Sequence, residues 1–320
     1  MEEFIISRND SFQPDFKKKK DLPHGENPHQ EAGIFCSEEV LDYEILSIAE
    51  PSFANLLDAD LCLRILSGFY DVNCCVITNH SAIAGAALGQ TLKGAWLKAL
   101  DCSPASILGG AAGFTKTVDE STAKELASIP LEIVISPDYT EKALDILRAG
   151  KNLKIIKINT PLEKYKNYLP HDIKNTPFGA LIQEADKGEL NKDSFKIVSK
   201  TKPNQEMIED MIFAWKILKH AKSNSAVIVK DFKLLGIGQG MPDIISAFEY
   251  ALNRACDGAK EAIAAFDGGL ASAGIIQTAA QERISGIIYT GGGAKDAEII
   301  KEADKYNIAA IKTGISHFKH

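Results

Sequence analysis

"SAVIVKDFKLLGIGQGMPDIISAFEYALNRA", Ser225 to Ala255, contains two short apolar runs separated by the charged "KDFK", then glycines, then apolar positions at helical spacing. Runs this short and this rich in Val, Ile and Leu read as strands joined by a tight turn, and the periodic stretch after them reads as a helix. Working outward, the same alternation recurs. "NQEMIEDMIFAWKILKHA" before it is an amphipathic helix, and "ISGIIYTGGGAKDAEIIKEADKYNIAAIKT" after it reads strand, Gly-rich loop, helix, strand.

In the first half, "NLLDADLCLRILSGF" sets Leu56, Leu57, Leu61, Leu63 and Leu66 on a helical face, and "NCCVIT" is a short buried strand followed directly by "NHSAIAGAALG". "LEIVISPDYTEKALDILRAG" predicts strand, turn and helix, with Thr140 as N-cap and Gly150 just past the end. Strands alternating with helices in both halves imply α/β layers. At 320 residues the chain can hold two domains, because single cores rarely outgrow about 250 residues. The polar stretch near 190–204 suggests the link, giving an arm at 1–20 and domains at 21–195 and 196–320.

A net charge of −7 argues against a nucleic-acid partner. The longest uncharged stretch, Val72 to Leu92, carries too many polar residues to span a membrane. Six cysteines show neither disulfide-framework nor metal-site spacing, and the polar, acidic start does not resemble a secretory leader. These features suggest a reducing cytoplasm and no metal. The run Lys17–Lys20 reads as a solvated charge cluster. Two glycine loops, "GIGQG" (Gly236–Gly240) and "TGGG" (Thr290–Gly293), are either anion cradles at helix N-termini or plain structural loops. His80 closes a strand beside Asn79, where side chains often face a cleft. Asn55 and Asn224 stand at element junctions, as caps or as site residues.

Several stretches together resemble a known family, the formyltransferase domain of the bifunctional purine-biosynthesis enzymes. They are "GENPHQ" (25–30), "NLLDAD" (55–60), "NHSAIAGAALG" (79–89), "ISPDYTEKALDIL" (135–147), "FAWKILKHAKSNSAVIVKD" (213–231), "GIGQG" and the ending "TGISHFKH". The resemblance implies two tandem cytidine-deaminase-like α/β domains without zinc, and a homodimer with its site at the subunit boundary. It also implies formyl transfer from 10-formyltetrahydrofolate, a co-substrate, to AICAR (5-aminoimidazole-4-carboxamide ribonucleotide). Ring closure to IMP is not expected of this chain.

Carried over by the resemblance, the proton acceptor falls on His80, a carboxamide-orienting residue on Asn224, a nucleotide contact on Asn55 and a backbone contact on Gly109. The opening turn contributes His24 and Gly25, and the folate side retains Asp267. The departures lie at charged positions. The family's Lys falls on Asn79, its Arg-Tyr on Pro23-His24, and its C-terminal Arg on Ser316. Losing one oxyanion donor costs about 2.7–4 kcal/mol, and serine cannot replace a bidentate charge on a phosphate. Either the pocket is rebuilt, with His24, Lys319 or Lys17–Lys20 meeting the phosphate, or the chain is a divergent paralogue that binds another nucleotide or does no chemistry. A dinucleotide enzyme built on "GIGQG" is the remaining reading.

Overall fold

Apolar runs too short for helices and bounded by turns become strands, and the longer periodic stretches between them become helices. The computed structural model describes residues 16–36, 41–167, 171–190 and 195–320. A ribbon of β1 (Lys17–Leu22) and β2 (Ala32–Cys36) leads to β3 (Tyr43–Ile45) and helix α1 (Phe53–Leu66). Next come the hairpin β4 (Cys74–Asn79) and β5 (Ala82–Leu88), then α2 (Leu92–Leu100), β6 (Ala111–Phe114) and α3 (Glu120–Leu126). β7 (Ile133–Ser136), α4 (Glu141–Arg148) and β8 (Lys154–Ile158) complete that half.

A second ribbon, β9 (His171–Thr176) with β10 (Gly179–Glu184), and the short β11 (Lys196–Ile197) follow. Then the order repeats: α5 (Gln205–Leu218), β12 (Ala226–Lys230), β13 (Lys233–Gly238), α6 (Ile244–Ala255), β14 (Ile263–Phe266) and α7 (Gly274–Gln281). β15 (Gly286–Tyr289), α8 (Asp296–Lys305) and β16 (Ala309–Lys312) end it.

One 12-stranded sheet results, in the order β11-β16-β15-β14-β12-β13-β5-β4-β6-β7-β8-β3. The two copies of the helix–hairpin–helix order meet edge to edge, β13 against β5. Lys233 pairs with Ala87, and Leu88 N–H donates to Phe232 O at 3.0 Å. At the other end a side chain closes the seam: Gln239 accepts from Ile83 N–H (3.3 Å) and donates to Ile83 O (2.9 Å). Helices cover both faces. α1 and α5 share one continuous core, with Phe69 and Phe213 at 5.3 Å, while α2–α4 and α6–α8 cover the opposite face in two clusters.

Sequence expectations are met at Thr140, whose hydroxyl accepts from Ala143 N–H, and at the hairpin within 225–238. Others are corrected. "SAIAGAALG", given no element of its own in the sequence reading, is mostly β5, the second arm of a hairpin. Lys17–Lys20 is exposed, as a solvated run should be, but it forms a strand paired with β2 rather than a free arm. Residues 1–15 of that arm lie outside the described residues. The linker stretch 190–204 contains β11, which extends the sheet beside β16. All six cysteines are free, and burial pushes the thiols of Cys74 and Cys75 far up, which keeps them unreactive. Among the described residues no helix is long and apolar enough to cross a membrane.

"GIGQG" is explained by packing. A Cβ on Gly236 would stand 2.0 Å from Ala251 O in α6, and one on Gly85, its counterpart in β5, 2.3 Å from Ala99 O in α2. Each hairpin admits its covering helix only where a side chain is missing. Gly236→Ala should lower the urea midpoint by the equivalent of ~1–3 kcal/mol with an unchanged m-value. Gly293→Ala, at a position open to solvent, should stay within about 0.5 kcal/mol of the parent.

Candidate active site

Strand directions decide which residues can meet. β4 is antiparallel to β5, β5 to β13 and β13 to β12, so the end of β4 and the start of β12 share one edge of the sheet. The same pairing logic brings the starts of β6 and β7 and the ends of β14, β15 and β16 to that edge. Asn55, Asn79, His80, Gly109, Asn224, Asp267, Ser316 and Lys319 all belong to segments at this edge. They form two clusters without a direct hydrogen bond between them. Three strand spacings separate β4 from β12, roughly 14 Å, and Gln239 stands in the interval.

His80 heads the first cluster. It occupies a two-residue turn between β4 and β5 with Ser81, both at positive φ (53° and 57°). Its ring is exposed and makes no hydrogen bond among the described residues, so it is not packed into a core. Asp58 on α1 accepts from the N–H groups of His80 (3.2 Å) and Ser81 (2.7 Å). Burial pushes the Asp58 carboxyl above its ordinary range, and those two bonds offset part of the rise.

Asn79 was expected to offer a hydrogen-bond donor where the family has Lys. Instead its amide N–H groups are engaged by Ser106 O (2.8 Å) and Leu108 O (3.3 Å), fastening the loop that leads to Gly109. Asn55 caps α1 with Ser52 and donates to Glu132 at 2.7 Å, so the cap reading holds and the same side chain also reaches the start of β7. Lys154 lies 3.6 Å from the same carboxylate. Glu132 was missed in the sequence, because a lone acidic residue ahead of a strand carries no motif.

In the second cluster Asn224 clamps the 241–242 loop, its amide donating to Met241 O (3.2 Å) and Pro242 O (3.3 Å). Asp267 is fully buried and accepts from Ser225 N–H at 3.1 Å. The C-terminal tail runs alongside. Ser223 N–H donates to Lys319 O (2.9 Å), Lys319 N–H to the Ser223 hydroxyl (3.0 Å), and His317 N–H to Asp267 O (3.3 Å). Burial, with the nearby Arg64 guanidinium, draws the Lys319 ammonium below its usual range. Ser316 is exposed between these anchored neighbours. His24 and Gly25 stand apart: the hydrogen bonds of the opening turn close within 24–30, from His24 Nδ1 beside Gly25 O to Gly25 N–H on Gln30 O. Among the described residues no hydrogen bond ties that turn to the edge.

A family model for the AICARFT/IMPCHase bienzyme matches residues 2–254. The chain belongs to this family. It is 39% identical over 324 residues to the bifunctional purine biosynthesis protein PurH of Petrotoga mobilis, covering 98% of this chain and 62% of that protein. The PurH protein of Caldicellulosiruptor saccharolyticus is also 39% identical, over 329 residues, covering 99% of this chain and 63% of that protein. The chain thus spans about three fifths of the length of these relatives. A solved cyanophage S-TIM5 dCMP deaminase overlaps 31% of the chain and 94% of its own at 12% identity and a TM-score of 0.26, too little to define the fold.

For this member of the AICARFT/IMPCHase family, neither glycine loop is an open anion cradle. "GIGQG" is mostly strand β13. In "TGGG", Gly291 and Gly292 take positive φ, and the loop already holds an anion of its own: Gly292 N–H donates to Asp296 Oδ2 at 2.7 Å, and Lys312 pairs with the same oxygen. No metal-binding group of His, Cys, Asp or Glu occurs among the described residues.

Partial burial pushes the Asp296 carboxyl up, but Lys312 and the Gly292 and Gly293 N–H groups outweigh it and hold it below the usual range. A depressed carboxylate stabilises the fold above its unfolded pKa, and that contribution is lost as pH falls through the folded value. Asp296→Asn should therefore lower the thermal midpoint at neutral pH, with the difference from the parent shrinking below pH ~4.

Proposed function

We propose that this chain transfers the formyl group of 10-formyltetrahydrofolate to the 5-amino group of AICAR, giving formyl-AICAR in purine biosynthesis. Family membership over most of the chain supports the reading. The observation that carries it is His80, an imidazole with no hydrogen-bond partner among the described residues, standing exposed where the β4–β5 turn meets the candidate edge.

In this reading the aromatic amine attacks the formyl carbon while His80 takes its proton, and the bond from formyl carbon to folate N10 then breaks, N10 leaving with a proton. Asn55, Glu132 and Gly109 line the nucleotide side. Asn224, Ser316 and Lys319 line the other side of the edge, with Asp267 buried behind Ser225. Asn79 fixes the 106–108 loop and supplies no charge, so the carbonyl oxygen lacks the ammonium that the resemblance implies. In this reading His24 and Gly25 serve the site of a partner subunit.

Purified chain with both substrates should turn over, and His80→Ala should abolish it; equal rates for the two proteins would sink the proposal. Asn79→Lys should raise kcat, by up to about 10²–10³ if the new ammonium reaches the oxyanion.

We read the repeated element order as two cytidine-deaminase-like domains, 21–195 and 196–320, and propose on the family resemblance that the chain acts as a cytoplasmic homodimer without nucleic-acid or membrane partners. Solitary two-stranded ribbons are marginal in water. Both ribbons here stand outside the main sheet and expose Phe35, Phe178 and Leu181, which suits burial by a second copy. Sedimentation should give a dimer for the parent and a shift toward monomer for Phe178→Ser/Leu181→Ser.

A further inference from the structure

We infer that Asp58 is the positioning residue for His80: its carboxylate grips both N–H groups of the left-handed turn and so fixes where the imidazole stands. The inference rests on the formyl-transfer reading. Because the His80 ring makes no hydrogen bond among the described residues, its placement passes through its own backbone. That backbone is unusual. Both turn residues sit at positive φ (53° and 57°), where non-glycine residues are disfavoured, and no glycine relieves either one.

Asp58 compensates from below. It is 5% exposed, accepts one N–H on each oxygen, and its main-chain O also accepts from the Thr78 hydroxyl at 2.9 Å, tying α1 to the end of β4. Asn79, the residue just before the turn, is held separately by the 106–108 loop.

The second half repeats the device without the histidine. Asp210 on α5 is 8% exposed and accepts from Asp231 N–H (2.9 Å) and Phe232 N–H (2.8 Å), in a turn at φ 53° and 55°. That turn joins the end of β12 to the start of β13, at the edge opposite His80. The chain therefore contains its own control: the same buried carboxylate, the same turn, and no link to the candidate site.

The test compares Asp58→Asn, Asp210→Asn and Asp58→Asn/Ser81→Gly in the full chain. An asparagine can accept from one N–H but sets its own donors against the other. Both single variants should lower the thermal midpoint. Asp58→Asn alone should lower kcat about 10- to 100-fold, with KM for AICAR held within about twofold, and speed amide exchange at residues 80 and 81. Glycine adopts positive φ without steric cost, so the Ser81→Gly change should restore most of the lost kcat.

Equal kcat losses in the two single variants would reduce Asp58 to a strut. Failure of Ser81→Gly to restore kcat while exchange slows again would mean that Asp58 acts on substrate directly. Either result overturns the inference. If the parent transfers no formyl group, the functional reading falls by itself, and exchange still decides the positioning: unchanged exchange at 80 and 81 in Asp58→Asn overturns it. Should Asp58→Asn not fold, Asp58→Glu against Asp210→Glu makes the same comparison.

Discussion

The arrangement depends on the antiparallel meeting of β5 and β13. It joins two six-strand runs of the same order into one sheet, and it decides which strand ends face the same way. Through it the end of β4, with His80, and the start of β12, with Asn224, fall on one edge. The glycines at 85 and 236 lie near the middle of that seam, so the covering helices α2 and α6 close in where the halves join. Arg254 of α6 reaches across to the Ser103 hydroxyl at 2.6 Å and Lys233 to Asp101 at 2.9 Å. Backbone pairing, apolar cover and polar ties therefore reinforce one geometry.

Alternation of strands and helices was legible throughout, because apolar runs and caps are local signals. The two hairpins show where legibility stops. "KDFK" sits between two clear apolar runs, so the turn at 231–232 could be read. "TNHSAIAG" has no glycine at either turn position and continues in small residues, so β5 was not seen. What stabilises that turn is a carboxylate more than twenty residues upstream, and no local pattern records it. The packing role of "GIGQG" was hidden for a related reason, since the atoms that exclude a side chain there belong to a helix later in the chain.

Most candidate site residues were reached only through the resemblance. Composition and spacing gave an α/β scaffold and a histidine at a strand end, but no reaction. The structure gathers eight of those positions to one edge and leaves His24 and Gly25 in a turn closed on itself. It also brings forward Asp58, Glu132 and Gln239, each bonded to a neighbour distant in sequence. Asp58 and Asp210 carry a thermodynamic cost as well. Burial raises both carboxyls, so the native state holds their protons more tightly than the unfolded chain, and stability falls as pH rises through their folded values. Their two N–H bonds each are what the fold gains in return.

The short tether between Gly292 and Asp296 has a consequence for ligand competition. A carboxylate attached four residues away meets those amides at an effective concentration in the millimolar range or above, and it brings the Lys312 countercharge with it. Dissolved anions at lower concentration do not displace such an occupant. The sequence signature of a phosphate loop is thereby self-saturated, and any negatively charged substrate must find its cation elsewhere along the edge.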